Sequence, residues 1–117
     1  MSTIAFKPSG PCYFVDENAA VQCSGTTSTQ HQAYRIRNLG AAAAYIAFNT
    51  PRVTSGVAPT MAKPVAPSSG TPSGNPSAGQ GTIGMLPMSV EVFTLASNAW
   101  FIASAGATFE VMPGDGV

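Results

Sequence analysis

Short runs in which apolar and polar side chains alternate, each closed by glycine, proline or asparagine, constrain this chain most. In Ala33-Tyr34-Arg35-Ile36-Arg37-Asn38, Tyr34 and Ile36 point one way and Arg35 and Arg37 the other. That period of two marks a strand with one buried face. Asn38-Leu39-Gly40 ends it as a turn. The next run, 42–48, is rich in alanine, which suits a helix. Tyr45, Ile46 and Phe48 favour strand, however, and the space from Gly40 to Pro51 is short for a helix, so it reads as strand. Three further runs, 89–95, 99–103 and 108–112, are rich in β-favouring residues and separated by turn-sized gaps, which predicts an antiparallel meander. Earlier candidates are 4–7, 12–15 and 20–23, and no long amphipathic helix is visible. Eight or so short strands at this spacing predict an all-β fold, an antiparallel β-sandwich or jelly-roll-like small barrel, in one domain over 1–117 with an N-terminal arm at 1–11.

One segment departs from the pattern. Of the eighteen residues from Pro64 to Gly81, twelve are proline, glycine or serine, and no charge occurs between Lys63 and Glu91. Such a stretch buries too little apolar surface to offset its ordering entropy by itself. It is expected to form an extended loop, fixed by its own domain or by neighbouring subunits, with Pro64, Pro67, Pro72 and Pro76 as contact residues.

Charge and composition narrow the function classes. Five basic and five acidic residues leave a formal net charge of zero, and charged residues are 9% of the chain. Non-specific nucleic-acid binding needs a basic footprint, so no nucleic-acid partner is expected. Near-zero charge invites association, which points to life in an assembly. The chain is 44% hydrophobic, too apolar for a disordered class. No apolar run follows Met1 as a secretory signal would require, and the charge-free run 92–109 is broken by Ser97, Asn98, Ser104 and Gly106. Neither export nor a membrane partner is expected.

Chemistry-bearing patterns are sparse. Gly79-Gln80-Gly81-Thr82-Ile83-Gly84 matches GxGxxG, but Met85-Leu86-Pro87 stands where a phosphate-binding helix must open, and no acidic residue follows at the required distance. The match is read as chance. Cys12, Cys23 and His31 fit no zinc spacing, although Asp16 and Glu17 are near, and no metal or cofactor is expected. Cys12 and Cys23 are read as buried thiols or as neighbours on paired strands. A Ser–His–Asp set can be drawn from His31, Asp16 and many serines, but nothing selects one. Glu91 and Glu110 are placed on neighbouring strands, where paired carboxylates do acid–base work or simply keep a face wet. No enzymatic role is expected.

Contact residues are better represented. Arg35, Arg37 and Arg52 are three of the five cations, suited to docking an acidic partner surface or to keeping a strand face solvated. Met85, in Met85-Leu86-Pro87-Met88, and Trp100, beside Phe101, are candidate apolar anchors or core residues. Trp100 and Phe101 must point to opposite sides of their strand.

Residues 33–40, followed by Ala44-Tyr45-Ile46-Ala47-Phe48, resemble small virion-associated proteins of tailed bacteriophages. So do Gly84-Met85-Leu86-Pro87, Val90-Glu91-Val92-Phe93-Thr94-Leu95, Trp100-Phe101 and Pro113-Gly114-Asp115-Gly116-Val117. The resemblance covers roughly residues 33–48 and 84–117 and transfers no functional residue. It implies a β-sandwich that decorates or cements the outer surface of a capsid, bridging subunits of the major capsid protein or contacting other virion proteins. The chain is expected to be a homo-oligomer, with a trimer as first expectation, made in the host cytoplasm and located on the virion. The alternatives are a tail- or vertex-associated structural protein, as connector or receptor-binding head, and a carbohydrate-binding β-sandwich with Trp100 or Tyr45 as the stacking platform.

Overall fold

Nine strands form among the residues that the computed structural model describes, which are 6–24, 31–49, 61, 63–65 and 80–115. They are β1 (Lys7–Pro8), β2 (Tyr13–Val15), β3 (Val21–Gln22), β4 (His31–Asn38), β5 (Ala44–Asn49), β6 (Gln80–Met85), β7 (Val90–Ala96), β8 (Trp100–Ala103) and β9 (Phe109–Asp115). No helix occurs among the described residues. All ladders are antiparallel. The larger sheet runs from β1 and β2, which follow each other along one side of β9, through β9 and β4 to β7. The smaller runs β3-β8-β5-β6.

The pairs β1/β2–β9, β3–β8, β4–β7 and β5–β6 nest like rungs of one long hairpin. The hairpin is wrapped so that β9 also meets β4 and β8 also meets β5. That wrapping is a jelly roll, with β1 and β2 as one first strand interrupted before Tyr13. It replaces the expected meander. The three C-terminal runs are strands, but β7 and β9 belong to one sheet and β8 to the other. Each passage crosses the sandwich, because each strand has one apolar side to bury against an opposing layer.

The core lies between the sheets. Val15, Tyr34, Ile36, Phe109 and Val111 from the larger sheet face Ile46, Met85, Phe101 and Ala103 from the smaller one, with Cys23, Ala44, Ala99 and Ala107 filling the ends. Tyr34 and Phe101 meet edge to face across the layers, ring centroids 5.2 Å apart and planes at 69°. The Tyr34 hydroxyl donates to the Ala96 carbonyl (2.8 Å) and accepts from the Ala99 N–H (3.1 Å). Those two groups flank the crossing from β7 to β8, whose turn holds Asn98 at a positive φ of 59°. Burial pushes the Tyr34 hydroxyl pKa up to about 12, against the lowering effect of the Ala99 N–H.

Strand β6 carries no sequence signal strong enough to reveal it, since its QGTIGM includes two glycines. Both glycines lie under aromatic rings of β5. Gly81 pairs with Phe48 and Gly84 with Tyr45. A Cβ on Gly81 would overlap the Phe48 ring, and one on Gly84 would lie 2.9 Å from Tyr45 Cε2. The GxGxxG pattern therefore owes its last two glycines to rings covering opposite faces of a strand. Gln80 and Gly81, assigned from sequence to the end of the long loop, are the first residues of β6. Of the other loop residues singled out, Pro64 is described and buried. Pro67, Pro72, Pro76 and Arg52 lie outside the described residues, as do residues 1–5 of the arm.

Candidate functional site

The two sheets differ in what covers their outer faces. On the smaller sheet, Ala47 and Ile102 point away from the core, yet Ala47 is fully buried and Ile102 is 7% exposed. The described part of the β5–β6 connection lies on this side. Lys63, Pro64 and Val65 border an open recess of about 400 Å³ with Ala43, Tyr45, Ser104 and Ala105. Glu17 fastens this corner: its carboxylate pairs with Lys63 at 3.1 Å and accepts from the Gly106 N–H at 2.9 Å. The Gly106 N–H, then Lys63, hold the Glu17 carboxyl below its ordinary pKa. Trp100 is half-buried on the same outer face, opposite Asn49, while Phe101 is fully buried in the core.

The outer face of the larger sheet is open. Strand pairing sets its side chains in rows. One row reads Val90, Arg37, Glu110, Phe14, and the next Val92, Arg35, Met112. Exposed on this face are Phe14 (59%), Val90 (43%) and Val92 (37%); the turn from β6 to β7 carries Met88 (62%) and Leu86 (72%), the latter bordering a recess with Tyr45 and Gly84 of the smaller sheet. Three of the six large hydrophobic residues exposed among the described residues thus lie on this face, two on the β6–β7 turn, and the sixth is Val65. Val90 and Phe14 stand at opposite ends of their row, with Arg37 and Glu110 between them.

The β6–β7 turn is built deliberately. Asn38, fully buried at the end of β4, donates from Nδ2 to the carbonyls of Ala42 (3.0 Å) and Leu86 (3.1 Å), and its Oδ1 accepts from the Gly40 N–H (2.9 Å). The Ser89 N–H (3.2 Å) and hydroxyl (2.8 Å) also donate to the Leu86 carbonyl. Met88 is held at φ 57°, a left-handed conformation that costs a non-glycine residue about 1–2 kcal/mol. A long apolar side chain exposed at such a position is costly for folding alone, which points to use in contact.

Charge on the face is sparse and unevenly matched. Arg37 Nη1 lies 3.8 Å from Glu110 Oε1. Partial burial, then the Glu110 carboxylate beside it, push the Cys12 thiol pKa upward, while Arg35 and Arg37 oppose the shift. Arg35 makes no ion pair or side-chain hydrogen bond among the described residues.

The contact residues expected from sequence therefore separate. Arg35 and Arg37 share the open face, Trp100 and Pro64 belong to the opposite side, and Met85 is core at 3% exposure rather than an anchor. The exposed members of its cluster are Leu86 and Met88, which β6 throws outward once Met85 turns in. Phe14, Val90 and Val92 were missed as contact residues. Their signal was β-branched and aromatic residues on the same strand sides as Arg37 and Arg35, legible only once the strands are paired. Glu91 and Glu110 are not neighbours. Strand β4 lies between theirs, with Glu91 opposite Ile36 and Glu110 opposite Arg37, hence on opposite faces. Cys12 and Cys23 are free thiols flanking strands of different sheets, Cys12 exposed and Cys23 buried, so the paired-strand arrangement does not occur. The Asp16 carboxylate accepts from Asn18 N–H and Nδ2 within its own turn. Among the described residues no three His, Cys, Asp or Glu side chains converge as metal ligands.

No protein-family model, no curated protein and no solved structure matches this chain.

Proposed function

We propose that this chain is a non-catalytic structural protein of a tailed-phage virion, decorating the capsid surface and docking on shell subunits through the outer face of its larger sheet. The observation that carries the docking part is the exposure of Phe14, Val90 and Val92 beside Arg35 and Arg37 on the outer face of the larger sheet. The capsid part rests on the resemblance of residues 33–48 and 84–117 described above. By analogy alone, the jelly roll is a wrapping used by viral capsid domains, and also by lectins. The mechanism is mechanical: each bound copy adds an interface that must break before the shell opens.

The test is copy number per purified particle, by mass spectrometry against the major shell protein. Hundreds of copies in fixed ratio support decoration, and a few dozen or fewer move the chain to the tail or a vertex. Absence from particles overturns the reading. One observation favours a second reading, sugar binding: the recess beside Tyr45, bordered by Lys63 and Ser104. Calorimetric titration with host surface polysaccharide tests it, and heat lost in Tyr45→Ala would place the sugar there.

A further inference from the structure

We infer that the partner surface seated on this face presents a carboxylate to Arg35, framed by apolar side chains; the inference rests on the docking reading above and specifies the partner's chemistry. Arg35 stands between Val92 and Met112 on the neighbouring strands, and the adjacent row carries Val90, Arg37, Glu110 and Phe14. The Glu110 carboxylate lies 3.8 Å from Arg37 and pairs with it. Among the described residues Arg35 is left without an ion pair, on a strand flanked on both sides. Covering it with a wholly apolar partner would strand a guanidinium out of water. A carboxylate removes that penalty, since guanidinium and carboxylate match through two parallel N–H···O bonds.

The surroundings narrow the partner further. A nucleic-acid backbone brings many charges and little apolar surface, whereas among the described residues this face offers one cation without an ion pair, Arg35, beside several apolar groups. Any single contact on this face meets a size limit. Four strand positions about 4.8 Å apart and about seven residues at 3.4 Å each give roughly 450 Å² in flat projection. Stable interfaces use about 800 Å² per partner. The face suits a contact that is weak singly and multiplied on a repeating acidic, apolar protein surface.

The test uses the full chain and three immobilised twelve-residue peptides in which leucine alternates with glutamate, glutamine or lysine. Binding is measured by interferometry, and the seat is mapped by amide chemical-shift changes on adding the glutamate peptide. The glutamate peptide is expected to bind at least ten-fold more tightly than the other two and to shift the amides of Val90, Val92, Arg35 and Met112. Arg35→Met and Arg35→Gln, each checked for an unchanged melting profile, should erase that preference. Arg37→Met should alter it less than three-fold. No preference for glutamate, shifts centred elsewhere, or a preference that survives both Arg35 variants would overturn the inference. Its failure is separable from failure of the capsid reading. Glutamate preference in a chain absent from purified particles leaves the carboxylate seat standing. Undiminished particle binding by Arg35→Met rejects the seat and leaves decoration intact.

Discussion

Replacing Tyr34 with phenylalanine removes one oxygen from the crossing between β7 and β8 and leaves the ring where it is. The edge-to-face contact with Phe101 at 5.2 Å needs no hydroxyl, so apolar burial is unchanged and the loss is polar. Without the hydroxyl, the N–H of fully buried Ala99 has no partner at 3.1 Å and the half-buried carbonyl of Ala96 loses its donor at 2.8 Å. An unpaired buried N–H costs about 1–3 kcal/mol, and a carbonyl that water can reach loses about 1 kcal/mol. The expected destabilisation is about 3 kcal/mol, or a fall in Tm of about 12 °C for a chain of this size. Urea titration followed by circular dichroism measures it, with the denaturant slope unchanged. A loss under about 1 kcal/mol at constant slope would refute the argument, because it would mean that water replaces the hydroxyl at this junction. The same residue predicts an alkaline limb. The hydroxyl pKa is raised to about 12 in the folded chain, chiefly by burial, against about 10 unfolded. Its contribution is fully present below pH 10 and is lost as pH rises toward 12, by about 2–3 kcal/mol in all. Tyr34→Phe should lack that part of the decline.

Other substitutions probe the β6–β7 turn, the hidden strand and the Glu17 corner. Asn38→Ala leaves the carbonyl of Ala42 without its Nδ2 donor and removes one donor to Leu86; a loss of about 2–3 kcal/mol in chemical denaturation is expected, with faster amide exchange at 86–89. Gly81→Ala drives a methyl into the Phe48 ring and should cost about 1–3 kcal/mol by the same measurement. Met88→Gly relieves the positive φ while loosening the unfolded chain, so stability should change by under about 1 kcal/mol in thermal scans. The Gly106 amide should report protonation of Glu17 in an NMR pH titration. Because Gly106 and Lys63 lower that carboxyl pKa in the folded state, the tie holds above the unfolded value of about 4.3 and is lost as pH falls below it. A midpoint at or above 4.3 would contradict the corner as described.

How much of this was legible beforehand depended on whether the signal was local. The division of Tyr34 and Ile36 from Arg35 and Arg37 follows from geometry within one strand, and both apolar residues are fully buried while both arginines reach solvent. Opposite facing of Trp100 and Phe101 holds for the same reason. Strand β6 was hidden because its glycines lack strand propensity; their positions make sense only beneath Tyr45 and Phe48 of another strand. Asn38 looked like a turn residue, and it is one, but its burial against the Leu86 turn comes from a contact 48 residues away.

The sequence by itself determined the all-β class, the faces of β4 and β8, and the sparse charge, because each follows from residue type and a period of two along one strand. Tertiary structure alone decided which strands pair, that consecutive strands cross between sheets, that Glu91 and Glu110 part company, and that Met85 turns inward while Leu86 and Met88 stand out. Those outcomes are set by partners distant in the chain, where the pairing that buries both apolar layers wins over any pairing of neighbours. That Arg35 has no ion pair among the described residues belongs to the same group: its charge is written in the sequence, but the Glu110 that pairs with Arg37 arrives on another strand.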